Sequence, residues 1–271
     1  MHPPTIVCLH SSTATRTQWR GLAGLLAPEV DTLAFDLHGH GTAPAWPDDA
    51  PATLAVDADR VLALAGAPAD GVHLVGHSYG GAVALQIALA HPRRVRSLTL
   101  YEPVAFGILR ALAPDDAALA EIEEIAHTVA ATLNRSDTTG AARTFVNYWG
   151  GAAAWDSLGP TQRASVEARL PAVPRHFDAL FRAAWDRRTL AALQMPILVM
   201  QGSATRASAR RVAEELAGAL PQLQRLMLPG AGHLGPITHG SQVNAAIAMH
   251  LALNGVPVKA LHTQPQPQAV A

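Results

Sequence analysis

Short apolar runs alternate along most of the chain with longer segments whose apolar residues recur at helical intervals. Six of the runs have the length and apolar character of buried strands: 5–9, 32–36, 72–75, 95–101, 196–201 and 223–228. Strands that alternate with helices at this spacing predict a parallel sheet with right-handed crossovers. Ligand sites in such sheets lie at the carboxyl ends of the strands. We therefore expect the loops after Leu9, Asp36, Val75 and Tyr101 to meet at one edge.

The middle of the chain departs from this alternation. Between about 106 and 193 there is no convincing strand, only helical stretches broken by glycine and proline, as at Gly159-Pro160. We expect residues 1–105 and 194–254 to form the core, with 106–193 as a helical insertion and its connection to the core. The Gln- and Pro-rich segment 255–271 is predicted to be a disordered tail.

Two aromatic groups in the insertion have spacings that can place them on helix faces. They are Phe145-Tyr148-Trp149 and Phe177-Phe181-Trp185. The interpretation we favour is that they pack the insertion onto the sheet, because aromatic side chains commonly fill cores. The alternative is that some of them line an apolar acyl pocket.

Composition and charge narrow the function classes. Hydrophobic residues make up 49% of the 271 residues, which favours a well-buried interior over disorder, and the net charge of −1 gives no reason to expect binding to nucleic acid or to an anionic membrane. Cys8 is the only cysteine, so no intrachain disulfide is possible. With no signal-peptide pattern and no apolar run of about 20 residues, we expect a cytoplasmic protein. A homodimer is left open.

The run from Val72 to Val75 ends in a Gly-x-Ser-x-Gly motif, Gly76 to Gly80, and alanine-rich helical residues follow at once. A strand, a sharp turn and a helix in this order expose the serine hydroxyl above the sheet, at a helix N-terminus that favours developing negative charge. The motif alone is a weak signal, but this context makes it a strong one. Ser78 is therefore the candidate nucleophile.

The order of these parts resembles the α/β-hydrolase family from about Thr5 to Leu253. Four features carry the resemblance: His10 after the first run, the Asp36–Gly41 loop, Gly-His-Ser-Tyr-Gly-Gly at 76–81, and Gly-Ala-Gly-His at 230–233. The resemblance implies an α/β-hydrolase fold, a mostly parallel sheet flanked by helices. It also implies that the insertion is a helical cap above the site.

A serine hydroxyl needs a general base, and an oxyanion hole needs two backbone N–H groups. His233, in a glycine-rich loop after the last strand, is the candidate base, with His239 as the fallback. Tyr79, directly after the nucleophile, would supply one N–H. The family resemblance implies that Ser12 supplies the other, although Ser11 stands where glycine is usual.

The carboxylate that orients the histidine is absent from its usual place. The family resemblance places it in the loop after the 196–201 strand, but residues 202–209 contain no acidic residue. Glu102, at the carboxyl end of the strand after the nucleophile helix, is the alternative, and a subgroup of haloalkane dehalogenases has a glutamate at the matching place. Only the position of the glutamate is transferred to this chain, because the nucleophile of those dehalogenases is aspartate, whereas the candidate here is a serine. The competing interpretation is a solvent-facing charge at a strand end.

These residues predict a cofactor-free serine hydrolase that cleaves a small carboxylic ester or lactone through an acyl-enzyme. Two alternatives remain: C–C bond hydrolysis, perhydrolysis or acyl transfer at the same site, or a catalytically weak ligand-binding relative. A metal site is disfavoured because His38 and His40 have no third ligand at motif spacing. His10 and His77 are expected to pack and hydrogen-bond. The expected partner is a small acyl substrate.

Overall fold

A six-stranded parallel sheet organises the fold. The computed structural model describes residues 3–258, with the exception of 29, 67, 69 and 221. The strands run in the order β2-β1-β3-β4-β5-β6, and every neighbouring pair is parallel. They are β1 (Thr5–Leu9), β2 (Asp31–Phe35), β3 (Val72–His77), β4 (Val95–Tyr101), β5 (Ile197–Gly202) and β6 (Gln224–Leu228). The six strands predicted from apolar runs and their parallel arrangement are confirmed.

Helices connect the strands and cover both faces of the sheet. In chain order they are α1 (Arg20–Leu26), α2 (Leu54–Ala65), α3 (Tyr79–Ala90), α4 (Gly107–Leu112), α5 (Ala117–Asn134), α6 (Thr138–Gly150), α7 (Pro160–Arg169), α8 (Val173–Arg182), α9 (Arg187–Ala191), α10 (Ala207–Ala219), α11 (Gly235–Thr238) and α12 (Gly240–Leu253). Helices α4 to α9 occupy the segment between β4 and β5. Among the described residues of that segment there is no strand, in agreement with the sequence.

Alternating side chains of the strands enter two separate cores, because successive residues of a strand point to opposite faces. Ile6 and Cys8 of β1 belong to the core under α1 and α12. Val7 and Leu9 belong to the larger core, which also contains buried residues of α2, α3 and the segment between β4 and β5. The interior strands β3 and β5 are buried along their whole length, which explains why both carry apolar side chains on the two faces of the sheet.

The chain stays packed beyond the point where the tail was predicted to begin. Val256 and Val258 are buried in the core under α1 and α12, with 3% and 8% of their surface exposed. The packed part therefore extends at least four residues past Asn254. The rest of the predicted tail, 259–271, lies outside the described residues. In the part of the chain that is described, no helix is long and apolar enough to cross a membrane.

Replacing Val256 with alanine is expected to lower the free energy of unfolding by about 1–3 kcal/mol, because the change removes buried methyl groups and leaves a small cavity. Urea unfolding followed by circular dichroism measures this value. The control is Leu253→Ala three residues earlier, where the side chain is 71% exposed, and its effect should stay within about 0.5 kcal/mol. Equal effects of the two substitutions would show that Val256 does not contribute to the core.

Candidate active site

The turn that carries Ser78 is possible only because two glycines flank it. Ser78 lies between β3 and α3 with φ 55° and ψ −121°, a backbone conformation that side-chain-bearing residues rarely adopt. A Cβ on Gly80 would lie 2.5 Å from the carbonyl oxygens of Leu9 and His10, and one on Gly76 would lie 2.6 Å from the Gly80 carbonyl. Both positions must therefore lack a side chain for α3 to begin directly against the end of β1.

Ser78, His233 and Glu102 form one continuous hydrogen-bonded series. Ser78 Oγ lies 2.9 Å from His233 Nε2, and His233 Nδ1 lies 2.7 Å from Glu102 Oε2. Because a carboxylate only accepts, the Nδ1–H of His233 donates to Glu102, which leaves Nε2 free to accept the serine proton. All three side chains are buried, with exposed fractions of 5%, 3% and 0%. The structure thus brings together the three residues that the sequence had nominated.

Glu102 is a buried carboxylate held by several donors, not a strand-end charge facing solvent. Besides His233, it accepts the backbone N–H of Gly202 at 2.8 Å and the hydroxyl of Thr205 at 2.6 Å. Both donors come from the end of β5 and the loop after it, where the family resemblance had led us to look for the acid. That loop supplies hydrogen-bond donors to Glu102 in place of a carboxylate of its own. The hydrogen bonds offset the cost of removing the charge from water.

The loop between β6 and α11 is held so that His233 faces Ser78. His77 donates from Nε2 to the His233 carbonyl at 2.8 Å, and the Tyr101 hydroxyl donates to the Gly232 carbonyl at 2.7 Å. Trp149 of α6 stacks on the His233 ring with centroids 3.8 Å apart. His239, the fallback base, instead contacts the Thr238 hydroxyl on the surface. Burial holds the pKa of His77 well below its usual value, so this ring stays neutral.

The loop after β1 brings Ser12 beside the nucleophile. Ser12 and Ser78 line the same two cavities, and Tyr79 begins α3 directly after Ser78. Among the described residues, neither the Ser12 N–H nor the Tyr79 N–H has a hydrogen-bond acceptor. Ser11, where glycine is usual, donates its N–H and its hydroxyl to Gln18 Oε1 at 3.2 and 3.1 Å. Ser11 therefore stabilises this loop conformation, and the N–H groups of Ser12 and Tyr79 lack an acceptor within the described part of the chain.

His10 also stabilises the loop after β1 through hydrogen bonds of its ring. It donates from Nδ1 to the Ser11 carbonyl at 2.8 Å and accepts the N–H of Leu37 at Nε2, 3.0 Å away. Burial lowers the pKa of His10 to about 4, so the ring is neutral at physiological pH and can accept and donate at once. The predicted role of His10 in packing and hydrogen bonding agrees with this geometry.

A buried polar network under the site was not anticipated from the sequence. Asp57 of α2 accepts from Nδ1 of His38 at 2.7 Å and from the hydroxyl of Tyr79 at 2.8 Å. His176 of α8 stacks on Tyr79 with centroids 3.6 Å apart, and its Nδ1 lies 2.8 Å from Ser12 Oγ. The available signal was a polar residue in an otherwise apolar helical stripe, which describes both Asp57 and His176.

This network also explains the paired histidines of the Asp36–Gly41 loop. His38 binds Asp57, whereas His40 donates to the His38 carbonyl at 2.9 Å and accepts the N–H of Thr13 at 2.9 Å. Three of their four ring nitrogens are thus engaged in hydrogen bonds, which connect this loop to α2 and to the loop after β1. Within the described residues, no group of three or more His, Cys, Asp or Glu side chains is arranged to hold a metal ion.

Ser78 stands between two cavities of different size. The inner cavity, about 10 Å³, is enclosed by apolar side chains that include Val104, Phe106, Val173, Phe177 and Leu180. The outer cavity, about 290 Å³, is lined by His233 and by side chains that include Val146, Leu158, Val166, Arg169 and Ile237. Ser12, Ser78, Phe145 and Trp149 line both. A cleft of about 730 Å³ lies at the opposite end of the sheet, away from these residues.

The two interpretations of the aromatic groups each hold for part of the set. Phe145, Trp149 and Phe177 line a cavity beside Ser78. Tyr148 and Phe181 are buried but line neither cavity, and Phe181 packs against Phe106 with centroids 5.7 Å apart. The packing interpretation therefore describes Tyr148, Phe181 and Trp185, which is partly buried against the same core, whereas the pocket interpretation describes Phe145, Trp149 and Phe177.

Comparison with known proteins points to one fold family. A family model described as alpha/beta hydrolase fold matches residues 4–240. A hydrolase structure from Pseudomonas aeruginosa PA01 is 26% identical, covers 92% of this chain and 90% of its own, and has a TM-score of 0.72. A thermophilic esterase structure from Thermogutta terrifontis is also 26% identical, with coverages of 93% and 90% and a TM-score of 0.69.

One curated relative matches over a shorter stretch. Lipase LipV of Mycobacterium tuberculosis is 40% identical over 102 residues, which is 37% of this chain and 38% of the lipase. The match therefore spans little more than a third of that relative's length. The family model and the two structures, by contrast, extend over most of the chain.

Gly80→Ala is expected to destabilise the fold by about 3 kcal/mol or more, because the added methyl group meets two backbone carbonyls that cannot move aside. The control is Gly24→Ala in α1, where a Cβ would have nothing within 4 Å. That substitution should be neutral or stabilising by up to about 1 kcal/mol, since alanine favours helix. Thermal unfolding of both variants measures the difference. A Gly80→Ala protein as stable as the parent would contradict the close approach of α3 to β1.

Proposed function

The chain belongs to the alpha/beta hydrolase fold family, and from that premise we propose that it is a cofactor-free serine hydrolase of the carboxylesterase type. Its substrates would be small carboxylic esters or lactones. The observation that carries the proposal is the series from Ser78 Oγ through His233 to Glu102, with distances of 2.9 and 2.7 Å. Nucleophile, base and orienting acid are the groups that acyl transfer to water requires.

In the first half-reaction Ser78 Oγ attacks the carbonyl carbon while His233 Nε2 takes its proton. The Glu102 carboxylate holds the Nδ1 proton and stabilises the imidazolium that forms. The carbonyl oxygen becomes an oxyanion, and the N–H groups of Ser12 and Tyr79 would donate hydrogen bonds to it. The C–O bond to the alcohol then breaks, and His233 returns the proton to the departing alcohol oxygen.

Water completes the cycle. It attacks the acyl carbon of the Ser78 ester, again with proton transfer to His233 Nε2, and a second oxyanion forms at the same two N–H groups. Collapse of this intermediate releases the carboxylic acid and returns the proton to Ser78. No metal or organic cofactor is needed for any of these steps.

The names of the relatives support this reaction class. One matched structure is described as a thermophilic esterase and one curated relative as a lipase, and both descriptions name enzymes that cleave carboxylic esters. C–C bond hydrolysis, perhydrolysis and acyl transfer would use the same three side chains. No contact among the described residues favours them over ester cleavage.

The binding-protein alternative rested on the carboxylate-free loop after β5. Glu102 removes that argument, because its carboxylate contacts His233 from β4 instead. A fully buried carboxylate is costly unless it is paired, and this one contacts the proposed catalytic base. The burial of Glu102 with three donors supports an active hydrolase.

Ser78 is expected to form one covalent adduct with a fluorophosphonate probe, because it lines two cavities and carries a hydroxyl that His233 can deprotonate. Intact-mass spectrometry should show a single adduct per chain, and peptide mapping should place it on the peptide that contains Ser78. Ser78→Ala is the control and should stay unlabelled. A folded protein that does not react would contradict an activated serine.

Glu102→Gln is expected to lower kcat for p-nitrophenyl acetate by about two to four powers of ten. The amide can donate to His233 Nδ1, which would leave the proton on Nε2 and remove the acceptor that Ser78 needs. Thermal unfolding would confirm that the variant is folded.

Asp178→Asn is the matched control for Glu102→Gln, because Asp178 is an exposed carboxylate on α8. Its kcat should equal that of the parent. Near-normal turnover in Glu102→Gln would mean that the enzyme works with Ser78 and His233 alone, and the assignment of Glu102 would be wrong.

A further inference from the structure

The two cavities beside Ser78 are not equivalent with respect to His233. His233 lines the outer cavity, but it is not among the residues that enclose the inner cavity. Ser12 and Ser78 line both, so the point of attack and the candidate oxyanion donor lie at the boundary. A substrate carbonyl over Ser78 would therefore extend one substituent into each cavity.

Proton transfer decides which substituent enters which cavity. When the tetrahedral intermediate collapses, the ester oxygen leaves with the bonding electron pair and must receive the proton held on His233 Nε2. The donor must be within hydrogen-bond reach of that oxygen. The alcohol therefore leaves on the side that His233 lines, which is the outer cavity, and the acyl substituent points to the inner cavity.

We propose that this enzyme is selective for esters in which a very short acid, acetic acid above all, is joined to a larger alcohol. The inference rests on the proposed serine-hydrolase function and specifies its substrates. The inner cavity then limits the length of the acyl chain, whereas the outer cavity accepts alcohols of different lengths.

The size of the inner cavity sets the limit. The inner cavity leaves about 10 Å³ of free volume against about 290 Å³ in the outer cavity, so a methyl group is the acyl substituent that requires the least displacement of its walls. Phe177 and Leu180 of α8 close this space and are themselves 4% and 3% exposed, so they cannot move toward solvent without unpacking the helix. A longer acyl chain would have to displace them, and overpacking of a buried site is costly.

The outer cavity has the opposite character. At about 290 Å³ it approaches the range of small-molecule binding sites, and its lining includes half-buried or exposed apolar side chains such as Leu158, Val166 and Ile237. Ile237 is 60% exposed, so this cavity opens to solvent. An alcohol several carbons long could enter it without displacing a buried side chain.

A pair of isomeric esters tests the orientation directly. Hexyl acetate and methyl heptanoate have the same molecular formula and differ only in which side of the ester carries the long chain. We expect kcat/KM, measured by titration of the released acid, to be higher for hexyl acetate by roughly tenfold or more. Equal values, or a preference for methyl heptanoate, would overturn the proposal.

Enlarging the inner cavity tests whether its wall limits the length of the acyl chain. In Leu180→Ala, the ratio of kcat/KM for p-nitrophenyl hexanoate to that for p-nitrophenyl acetate should rise by roughly tenfold. Leu220→Ala is the matched control, because Leu220 is equally buried but lines neither cavity, and its ratio should equal that of the parent. If Leu180→Ala does not fold, Val104→Ala removes part of the same wall. An unchanged ratio in the folded variant contradicts the proposal.

Failure of this inference can be told apart from failure of the proposed function. If fluorophosphonate labels Ser78 and esters are hydrolysed, but long acyl chains are preferred, the hydrolase assignment stands and the acyl limit is wrong. If Ser78 is not labelled and neither isomer is hydrolysed, the hydrolase assignment itself is wrong, and the acyl limit is overturned with it.

Discussion

The close approach of α3 to the end of β1 is the constraint on which the site depends. Because Gly80 lies against the carbonyls of Leu9 and His10, the helix can begin directly at Ser78, and the serine takes up a backbone conformation with positive φ. The same approach holds the loop after β1 beside the start of α3. One backbone contact therefore positions both Ser78 and the loop that carries Ser12, so the candidate nucleophile and the candidate oxyanion donors share one support.

The order of the strands explains how Glu102 can serve the site from β4. This strand lies between β3, which leads to Ser78, and β5, which ends at Gly202. A carboxylate at its carboxyl end can thus contact His233 while it accepts hydrogen bonds from the neighbouring strand end and from Thr205. A buried charge is stable only when such partners surround it. The loop after β5 needs no acid of its own, because its N–H and hydroxyl groups stabilise the acid of another strand.

The sheet positions Ser78 and Glu102, and the segment between β4 and β5 forms the walls of the cavities above them. Trp149 stacks on His233, while His176 connects α8 to Ser12 and Tyr79. Burial keeps the pKa of His176 well below its usual value, so the ring remains neutral, and its stacking on Tyr79 involves no charged imidazolium. Helix α8 also carries the side chains that close the inner cavity. In the proposed enzyme, residues at the edge of the sheet would carry out the reaction, and side chains of the insertion would determine which acyl groups fit.

What the sequence determined by itself was the sheet, the nucleophile turn and the identity of the three polar side chains at its edge. The sheet and the turn follow from short patterns of apolar residues and glycines, whereas the three polar side chains were predicted from the Gly-x-Ser-x-Gly motif, their order in the chain and the family resemblance. Only the tertiary structure decided which helix faces meet above that edge. The contacts of Asp57 and His176, the division of the aromatic side chains between core and cavities, and the burial of Val256 join segments far apart in the chain. Local periodicity carries no information about such contacts, since it shows that a face is apolar but not what covers it.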